Sequence, residues 1–232
     1  ISIKKSYNNT KKCIKLIVDY ITVKITVSMF FDLSMNAGGY AVTAIILVGG
    51  KSRRMGLNKA FLKYGDTTFI EHQVMMLRKI FDEIILSAND ENAYSGLKLP
   101  IVSDVIPEKG PLSGICAGLS RARSSHAFVI ACDMPFINEK LILYLKSQIN
   151  GYDVVVPKTS RGLEPMHAFY SKDCIHPMYH CLEEGRLRIV DFFSEVKVKV
   201  VGEEEFAGLD ESLKSLINLN TPEEYKKYCD ND

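Results

Sequence analysis

The sequence predicts an α/β protein in which helices cover both faces of a mostly parallel central sheet. From Ala41 onward, short runs rich in β-branched residues alternate with longer amphipathic segments, which is the pattern of β-α-β units. The run at 127–132 is apolar throughout, as is typical of a central parallel strand that is covered on both faces. Glycine and proline residues separate these segments and mark the turns between them.

The elements are predicted in order from these patterns. The first strand covers residues 43–48 and ends at Gly49-Gly50, and a loop leads from it to Lys59. A helix is predicted at 67–81 because apolar residues recur there on one helical stripe. The turn at 107–114, PEKGPLSG, breaks the chain before the next helix. Further strands are predicted at 83–88, 99–102, 127–132, 152–156, 166–170 and 196–201, and further helices at 112–123, 138–148, 172–183 and 222–228.

The first 40 residues differ in composition from the rest of the chain. Residues 1–34 hold six Lys and two Asp, a net charge of +4, against −3 for the remainder. Asp19 and Lys24 interrupt the apolar stretch, which argues against an export signal and against a membrane span. We therefore predict an N-terminal extension at 1–40 and a single domain at 41–232, with Met29 and Met35 as candidate start sites.

The composition argues against several classes of function. The 29 basic and 28 acidic residues leave a net charge of +1, so there is no overall field to attract nucleic acid or an anionic membrane. Neither is expected as a partner. The six cysteines include no C-x-x-C pair, which argues against a zinc site and against a disulfide framework. Reduced cysteines favour a cytoplasmic protein.

Polar residues and glycines that could bind a ligand or take part in a reaction follow the predicted strand ends. In an open parallel sheet, ligands bind outside the carboxyl ends of the strands. The residues at or just beyond those ends are Gly49, Gly50, Lys59, Ser87, Asn89, Asp104 and Asp133.

The loop after the first strand combines two glycines with three basic residues. Gly49 and Gly50 lack a Cβ atom, so a phosphate or a base edge can approach their backbone closely. Arg53, Arg54 and Lys59 could neutralise the charge that grows on a triphosphate during displacement. The alternative is a glycine turn followed by solvated basic side chains. A Walker A loop is excluded because position 45 lacks the glycine that this motif requires.

Asp133 is the candidate metal ligand. Pro135 ends the strand before it, so the carboxylate is expected to project into the crevice. A hard oxygen ligand suits Mg²⁺, which needs only one or two carboxylates besides phosphate oxygens and water. The alternative is an N-cap for the following helix. Asp104 is a weaker candidate for contact with the nucleotide or the metal, or for closing a turn. His167 could line a second substrate pocket, but it is interpreted as a half-buried, hydrogen-bonded residue rather than as a catalyst.

Five motifs taken together resemble those of a known family. They are LVGGKSRRMGLNKA, GPLSGICAGL, ACDMPF, EPMHAFY and NLNTPEEY, in that order over residues 43–229. The set resembles the molybdenum cofactor guanylyltransferase family. The resemblance implies a Rossmann-like nucleotidyltransferase fold, and a transfer of GMP from GTP to molybdopterin-bound molybdenum that releases pyrophosphate and needs Mg²⁺. It makes GTP and the molybdopterin cofactor the substrates, and it leaves molybdoenzyme apoproteins and other cofactor-biosynthesis proteins as candidate partners.

The resemblance also assigns roles to single residues. The implied nucleotide-binding residues are Leu47, Val48, Gly49, Gly50, Lys59, Ser87, Asp104 and Asp133. The implied catalytic residues are Arg54, Lys59 and Asp133, and Asp133 is the implied metal ligand. Three positions depart from the family pattern, with Val48 in place of Ala, Asn58 in place of Asp and Ser87 in place of Asn. The pair Gly49-Gly50 resembles the guanine-specific branch rather than the cytidylyl relatives.

Two alternatives stay open at this point. One is a cytidylyltransferase, or another nucleotidyltransferase of the same fold that uses a different nucleotide or acceptor. The other is a non-catalytic module that binds GTP or delivers the cofactor. The presence of both Lys59 and Asp133 disfavours this module, because simple binding does not require a charge clamp together with a metal carboxylate.

Overall fold

A computed structural model describes residues 42–48 and 58–229 of the chain. Its strands are β1 (Thr43–Leu47), β2 (Lys63–Tyr64), β3 (Thr67–Thr68), β4 (Glu83–Ser87), β5 (Ile101–Val102), β6 (His126–Ala131), β7 (Val154–Thr159), β8 (Gly162–Leu163), β9 (His167–Ser171) and β10 (Val198–Gly202). Its α-helices are α1 (Phe69–Leu77), α2 (Glu91–Tyr94), α3 (Pro111–Arg121), α4 (Glu139–Ser147), α5 (Ile175–Glu183), α6 (Glu203–Phe206) and α7 (Pro222–Cys229). Short 3₁₀ helices lie at Lys59–Phe61, Ser95–Leu97, Lys172–Cys174, Ile189–Glu195 and Lys214–Leu216.

Among the described residues, eight strands form a mostly parallel sheet in the order β10-β7-β9-β6-β1-β4-β5, with β8 paired to the end of β7, and β2 and β3 form a separate hairpin. Strand β1 lies between β6 and β4 and runs parallel to both. Strand β9 runs antiparallel to its neighbours β6 and β7. The carboxyl ends of β1, β4, β5 and β6 therefore meet at one edge of the sheet, where ligands bind in folds of this class.

Helices cover both faces of this sheet, as predicted. Neighbouring side chains of a strand point to opposite faces. Ile46 accordingly packs in a cluster that includes apolar residues of α1 and α4, whereas Ile45 packs in a second cluster with residues of α3 and α5. The predicted α/β fold with a mostly parallel central sheet is confirmed.

Helix α3 approaches the sheet very closely because two of its residues are glycines. A Cβ atom on Gly118 would lie 2.7 Å from Ile45 Cγ2, and one on Gly114 would lie 2.6 Å from Ser87 Oγ. The helix starts with Pro111 in its first turn, after Gly110 with a φ of 74°. The absent Cβ atoms therefore allow α3 to pack against β1 and the carboxyl end of β4.

Three local predictions are corrected by the structure. The helix predicted at 67–81 is shorter, because Thr67–Thr68 pairs with Lys63–Tyr64 in a hairpin and Thr68 caps α1. The N-cap interpretation of Asp133 is wrong, because Asn138 caps α4 and accepts a hydrogen bond from Leu141 N at 3.1 Å. The interpretation of His167 as a half-buried, hydrogen-bonded residue is also wrong.

His167 is completely buried. Its ring lies edge-on to Phe128, with 5.0 Å between the ring centroids. Neither ring nitrogen has a hydrogen-bond partner among the described residues. Burial lowers the pKa of His167 to about 3, so the imidazole is neutral at physiological pH.

Two further features bear on the sequence predictions. None of the helices at residues 58–229 combines the length and the apolar composition that a membrane span requires. In the same part, Cys116, Cys132, Cys174 and Cys181 are free thiols.

Candidate active site

The predicted pair Lys59 and Asp133 comes together at the carboxyl end of the sheet. Lys59 begins the 3₁₀ helix Lys59–Phe61, and Asp133 follows β6, which is the direct neighbour of β1. Lys59 Nζ donates a hydrogen bond to Asp133 Oδ2 at 3.3 Å. Their side chains are only 12% and 17% exposed, so the alternative of a solvated loop lysine is wrong.

Two asparagines complete this cluster, and neither was predicted from the sequence as a site residue. Lys59 Nζ also donates to Asn220 Oδ1 at 2.8 Å. Asn218 Nδ2 donates to Asp133 Oδ1 at 3.3 Å, and Leu219 N donates to the backbone oxygen of Asp133 at 2.8 Å. The segment before α7 is thus fastened to both members of the Lys59–Asp133 pair.

The surroundings of Asp133 favour a nearby cation. Burial raises the pKa of the Asp133 carboxyl above its usual value, and the charge of Lys59 and its hydrogen bond counteract only part of that increase. Glu224, on α7, raises the pKa further by like-charge repulsion. A second positive charge beside this carboxylate would stabilise its ionised form.

A second cluster of predicted residues surrounds Gly114. Its missing Cβ would meet Ser87 Oγ at 2.6 Å, Asp104 Oδ1 at 3.3 Å and Leu47 Cδ2 at 3.3 Å. Asn89 holds Asp104 in two ways, since Asn89 Nδ2 donates to Asp104 Oδ2 at 2.8 Å and Asp104 N donates to Asn89 Oδ1 at 3.0 Å. The structure therefore groups Leu47, Ser87 and Asp104 at the ends of β1, β4 and β5.

The backbone of Leu47 and Val48, two of the predicted nucleotide-binding residues, already makes protein contacts. Leu47 O accepts from Cys132 N, and Val48 N donates to Ser87 O, both at 3.0 Å. Val48 O accepts a long hydrogen bond of 3.4 Å from the Tyr94 hydroxyl. The predicted site residues Gly49, Gly50 and Arg54, and the neighbouring Arg53, lie outside the described residues.

A cavity of about 440 Å³ opens beside the Lys59 turn. Its lining residues are Asn58, Phe61, Leu62, Lys63 and Tyr225. The cavity thus lies between the segment that carries Lys59 and helix α7.

The donor atoms around Asp133 suit Mg²⁺. Within residues 42–48 and 58–229, no three His, Cys, Asp or Glu side chains form a group that could hold a metal ion. Mg²⁺ does not need such a group, because it retains water and binds through one or two carboxylates and the phosphates of a substrate. The partly buried Asp133 carboxylate, with its raised pKa, is a ligand of this type.

Comparison with known proteins identifies the family. Residues 44–197 match the model of the MobA-like NTP transferase domain. A protein of Pelotomaculum thermopropionicum described as "Probable molybdenum cofactor guanylyltransferase" is 40% identical over 185 residues, which are 80% of this chain and 90% of that protein. This chain belongs to the MobA-like NTP transferase family. The predicted resemblance is confirmed, and as a member of this family the chain is a nucleotidyltransferase.

Further relatives agree with this assignment. The molybdenum cofactor guanylyltransferase of Desulfosudis oleivorans is 36% identical over 189 residues, covering 81% of this chain and 94% of that protein. The crystal structure of molybdopterin-guanine dinucleotide biosynthesis protein A from Archaeoglobus fulgidus superposes with a TM-score of 0.72. It is 23% identical and covers 82% of this chain and 98% of the other, so it supports the MobA-like fold.

Proposed function

We propose that this chain transfers GMP from GTP to the molybdopterin cofactor and releases pyrophosphate. Membership of the MobA-like family supports transfer from a nucleoside triphosphate. The names of relatives 36–40% identical to this chain support guanine and molybdopterin as the specific groups. The observation that carries the proposal is the Lys59–Asp133 pair, because it joins a positive charge to an oxygen ligand at the carboxyl end of the sheet.

In the reaction, an oxygen of the acceptor attacks the α-phosphorus of GTP. The bond between the α-phosphorus and the oxygen that bridges it to the β-phosphate breaks, and the pair of electrons leaves with pyrophosphate. Negative charge therefore grows on the departing group, and the enzyme must stabilise this charge.

Lys59 is proposed to provide part of that stabilisation. Its ammonium is held between Asp133 Oδ2 and Asn220 Oδ1, at 3.3 and 2.8 Å, and its side chain is 12% exposed. Two fixed acceptors restrict the ammonium to a small region, so little reorganisation is needed when phosphate oxygens arrive. We propose that Lys59 contacts the α- and β-phosphates, and that Arg54 assists it.

Asp133 is proposed to hold Mg²⁺ as well as to orient Lys59. When bound, the metal ion would supply charge neutralisation at the phosphate oxygens. Asn218 and Leu219 fix the side chain and the backbone of Asp133, so the carboxylate has a defined direction. The residues proposed to bind the nucleotide are Leu47, Val48, Gly49, Gly50, Ser87 and Asp104. The two hydrogen bonds between Asn89 and Asp104 support a fixed orientation for the Asp104 carboxylate.

The location and the wider partners are also proposals. We infer a cytoplasmic enzyme, which the free thiols of Cys116, Cys132, Cys174 and Cys181 support. Molybdoenzyme apoproteins are the proposed recipients of the product.

A pyrophosphate-release assay tests the proposed function. Purified protein with Mg²⁺ is given GTP, CTP, ATP or UTP, each with and without molybdopterin. We expect release only with GTP and molybdopterin together, and a loss of at least ~10²-fold in Asp133→Asn, which removes the charge but keeps the shape. Preference for CTP would instead indicate the cytidylyltransferase, and binding of GTP without turnover would indicate the non-catalytic module.

A further inference from the structure

The hydroxyl group of Tyr94 connects the two described segments that flank residues 49–57. Asn58 Nδ2 donates a hydrogen bond to Tyr94 Oη at 2.7 Å, and Tyr94 Oη donates to Val48 O at 3.4 Å. Val48 follows β1, and Asn58 immediately precedes Lys59. A single side chain from α2 therefore contacts both the end of the first strand and the start of the lysine-bearing helix.

Tyr94 is well suited to hold this position. It is 3% exposed, and its ring stacks on Phe61 with 5.3 Å between the centroids and 16° between the ring planes. Phe61 belongs to the same 3₁₀ helix as Lys59, so Tyr94 contacts that helix through the ring as well as through the hydroxyl. Burial raises the pKa of Tyr94, so the hydroxyl retains its proton at neutral pH and can donate a hydrogen bond to Val48 O.

Asn58 transmits this contact to Lys59. Its Oδ1 accepts a hydrogen bond from Ala60 N at 3.2 Å and so caps the 3₁₀ helix. Its Nδ2 is then directed to Tyr94 Oη, so both ends of the amide group are engaged. The turn that begins with Lys59 is thereby attached to α2 on one side, while the ammonium at the other end of the lysine is attached to Asp133 and Asn220.

We propose that Tyr94 is a positioning residue for the transfer reaction, because it holds the base of Lys59 at a fixed distance from the end of β1 through Asn58. The kinetic part of this inference rests on the proposed function, in which Lys59 stabilises the departing pyrophosphate. Tyr94 itself touches no reacting atom. Its effect is expected in kcat rather than in the KM for GTP, since a displaced ammonium still attracts the triphosphate but meets the transition state less well.

The decisive variant is Tyr94→Phe, which keeps the buried ring and its stack on Phe61 and removes only the hydroxyl. Hydrogen–deuterium exchange without any ligand measures the positioning directly. We expect faster exchange in the peptide that spans residues 58–62, where the amides of Phe61 and Leu62 are bonded to Asn58 O and Lys59 O, and unchanged exchange in β6. Unchanged exchange at 58–62 would overturn the inference whatever the enzyme's substrate is.

Steady-state kinetics with GTP and molybdopterin provide the second readout. Tyr94→Phe is expected to lower kcat by about fivefold, the size of one neutral hydrogen bond, with little change in KM. The melting temperature should fall by no more than about 4 °C. Tyr179→Phe, at a 44% exposed tyrosine on α5, is the matched control and should leave all values unchanged. Faster exchange with an unchanged kcat would also reject the inference, because the hydroxyl would then have only a structural role.

A double-mutant comparison tests whether the Tyr94 hydroxyl affects kcat through its hydrogen bond to Asn58. Asn58→Ala removes the same hydrogen bond from the other side, so Tyr94→Phe should reduce kcat less in that background than in the wild type. If Tyr94→Phe reduced kcat equally in the wild type and in Asn58→Ala, the hydroxyl would not act through Asn58. Failure of the wild-type enzyme to transfer GMP would reject the proposed function alone. Hydrogen–deuterium exchange at residues 58–62 would still test the positioning, because exchange in Tyr94→Phe, Asn58→Ala and the double variant does not depend on turnover.

Discussion

Lys59 has an environment that its position in the sequence does not suggest. A lysine in a glycine-rich, basic loop is ordinarily solvated, yet this ammonium is shared by a carboxylate and an amide oxygen and is 12% exposed. The neighbouring Asp133 keeps a raised pKa in spite of the lysine, because burial outweighs the attraction. Lys59 thus makes the negative charge of Asp133 easier to retain.

Substitution of Lys59 tests whether this charge acts in catalysis. Lys59→Ala is expected to reduce kcat by ~10²-fold with a smaller rise in the KM for GTP, because the charge that Lys59 meets grows toward the transition state. Lys59→Arg should restore little activity, since a planar guanidinium does not fit the space of a compact ammonium. Lys79→Ala, at an exposed lysine, is the control in the same steady-state assay. Unchanged kcat and KM in Lys59→Ala would refute the proposed role.

His167 gives a prediction about stability at acidic pH. Its pKa is about 3 in the folded protein, against an ordinary value of 6.5. Between these two pH values the unfolded chain binds a proton that the folded chain does not, so stability is lost as the pH falls from 6.5 toward 3. His167 alone can lower the free energy of unfolding by at most about 1.4 kcal/mol for each pH unit in this range.

The variant His167→Leu isolates this contribution, because leucine has a similar volume and no titrating group. Urea denaturation of both proteins at pH 7.5, 6.5, 5.5 and 5.0 measures the free energy of unfolding. The decrease in the free energy of unfolding below pH 6.5 should be smaller in the variant. The value for the variant minus the value for the wild type should therefore increase at each lower pH. Parallel curves would show that His167 is not buried in the neutral form.

At the scale of single elements, the hairpin β2–β3 shows why one boundary was misplaced. The apolar stripe of α1 predicted a helix from residue 67, but two local signals place its start later. Gly65, with a φ of 56°, and Asp66 form the turn between the paired residues Tyr64 and Thr67. Thr68 and Glu71 form a capping box, which fixes the helix start after Thr68. The periodicity located the helix, whereas turn and cap chemistry determine where it begins.

The asparagines of the segment before α7 were missed for a related reason. The motif NLNTPEEY contributed to the family resemblance, but no role was derived from its residues. Asn218 and Asn220 are two positions apart, and in an extended segment such residues face the same side. This spacing was the available signal. Their partners, Asp133 and Lys59, are 85 and 161 positions away in the chain, so only the fold could reveal the contacts.

The packing of α3 predicts different functional consequences for two of its glycines, Gly114 and Gly118. Gly114→Ala and Gly118→Ala both place a Cβ within 3 Å of a sheet residue, so each should destabilise the protein by about 1–3 kcal/mol despite the better helix propensity of alanine. Only Gly114 faces Ser87 and Asp104, so only Gly114→Ala should weaken GTP binding as well. Chemical denaturation and calorimetric titration with GTP measure the two effects. Equal loss of GTP affinity in both variants would contradict this distinction.

At the scale of the whole molecule, the strand order explains how distant residues converge. The sequence predicted parallel strands, with candidate residues at their carboxyl ends, but it held no information on which strands are neighbours. Because β1 lies between β6 and β4, its end faces Asp133 on one side and Ser87 on the other. The insertion of the antiparallel β9 between β6 and β7 was equally hidden, since a strand's pattern does not reveal its direction.

The boundary between the predicted extension and the domain lies before β1. The family match begins at residue 44 and β1 begins at Thr43, and the Pelotomaculum relative is covered over 90% of its length by 80% of this chain. We therefore expect that deletion of residues 1–34, which leaves Met35 first, changes neither the melting temperature nor the affinity for GTP. Thermal denaturation and calorimetric titration of the deleted and full chains measure both. A decrease in melting temperature of more than about 4 °C corresponds to roughly 1 kcal/mol or more in a domain of this size, and it would show that the first 34 residues stabilise the domain.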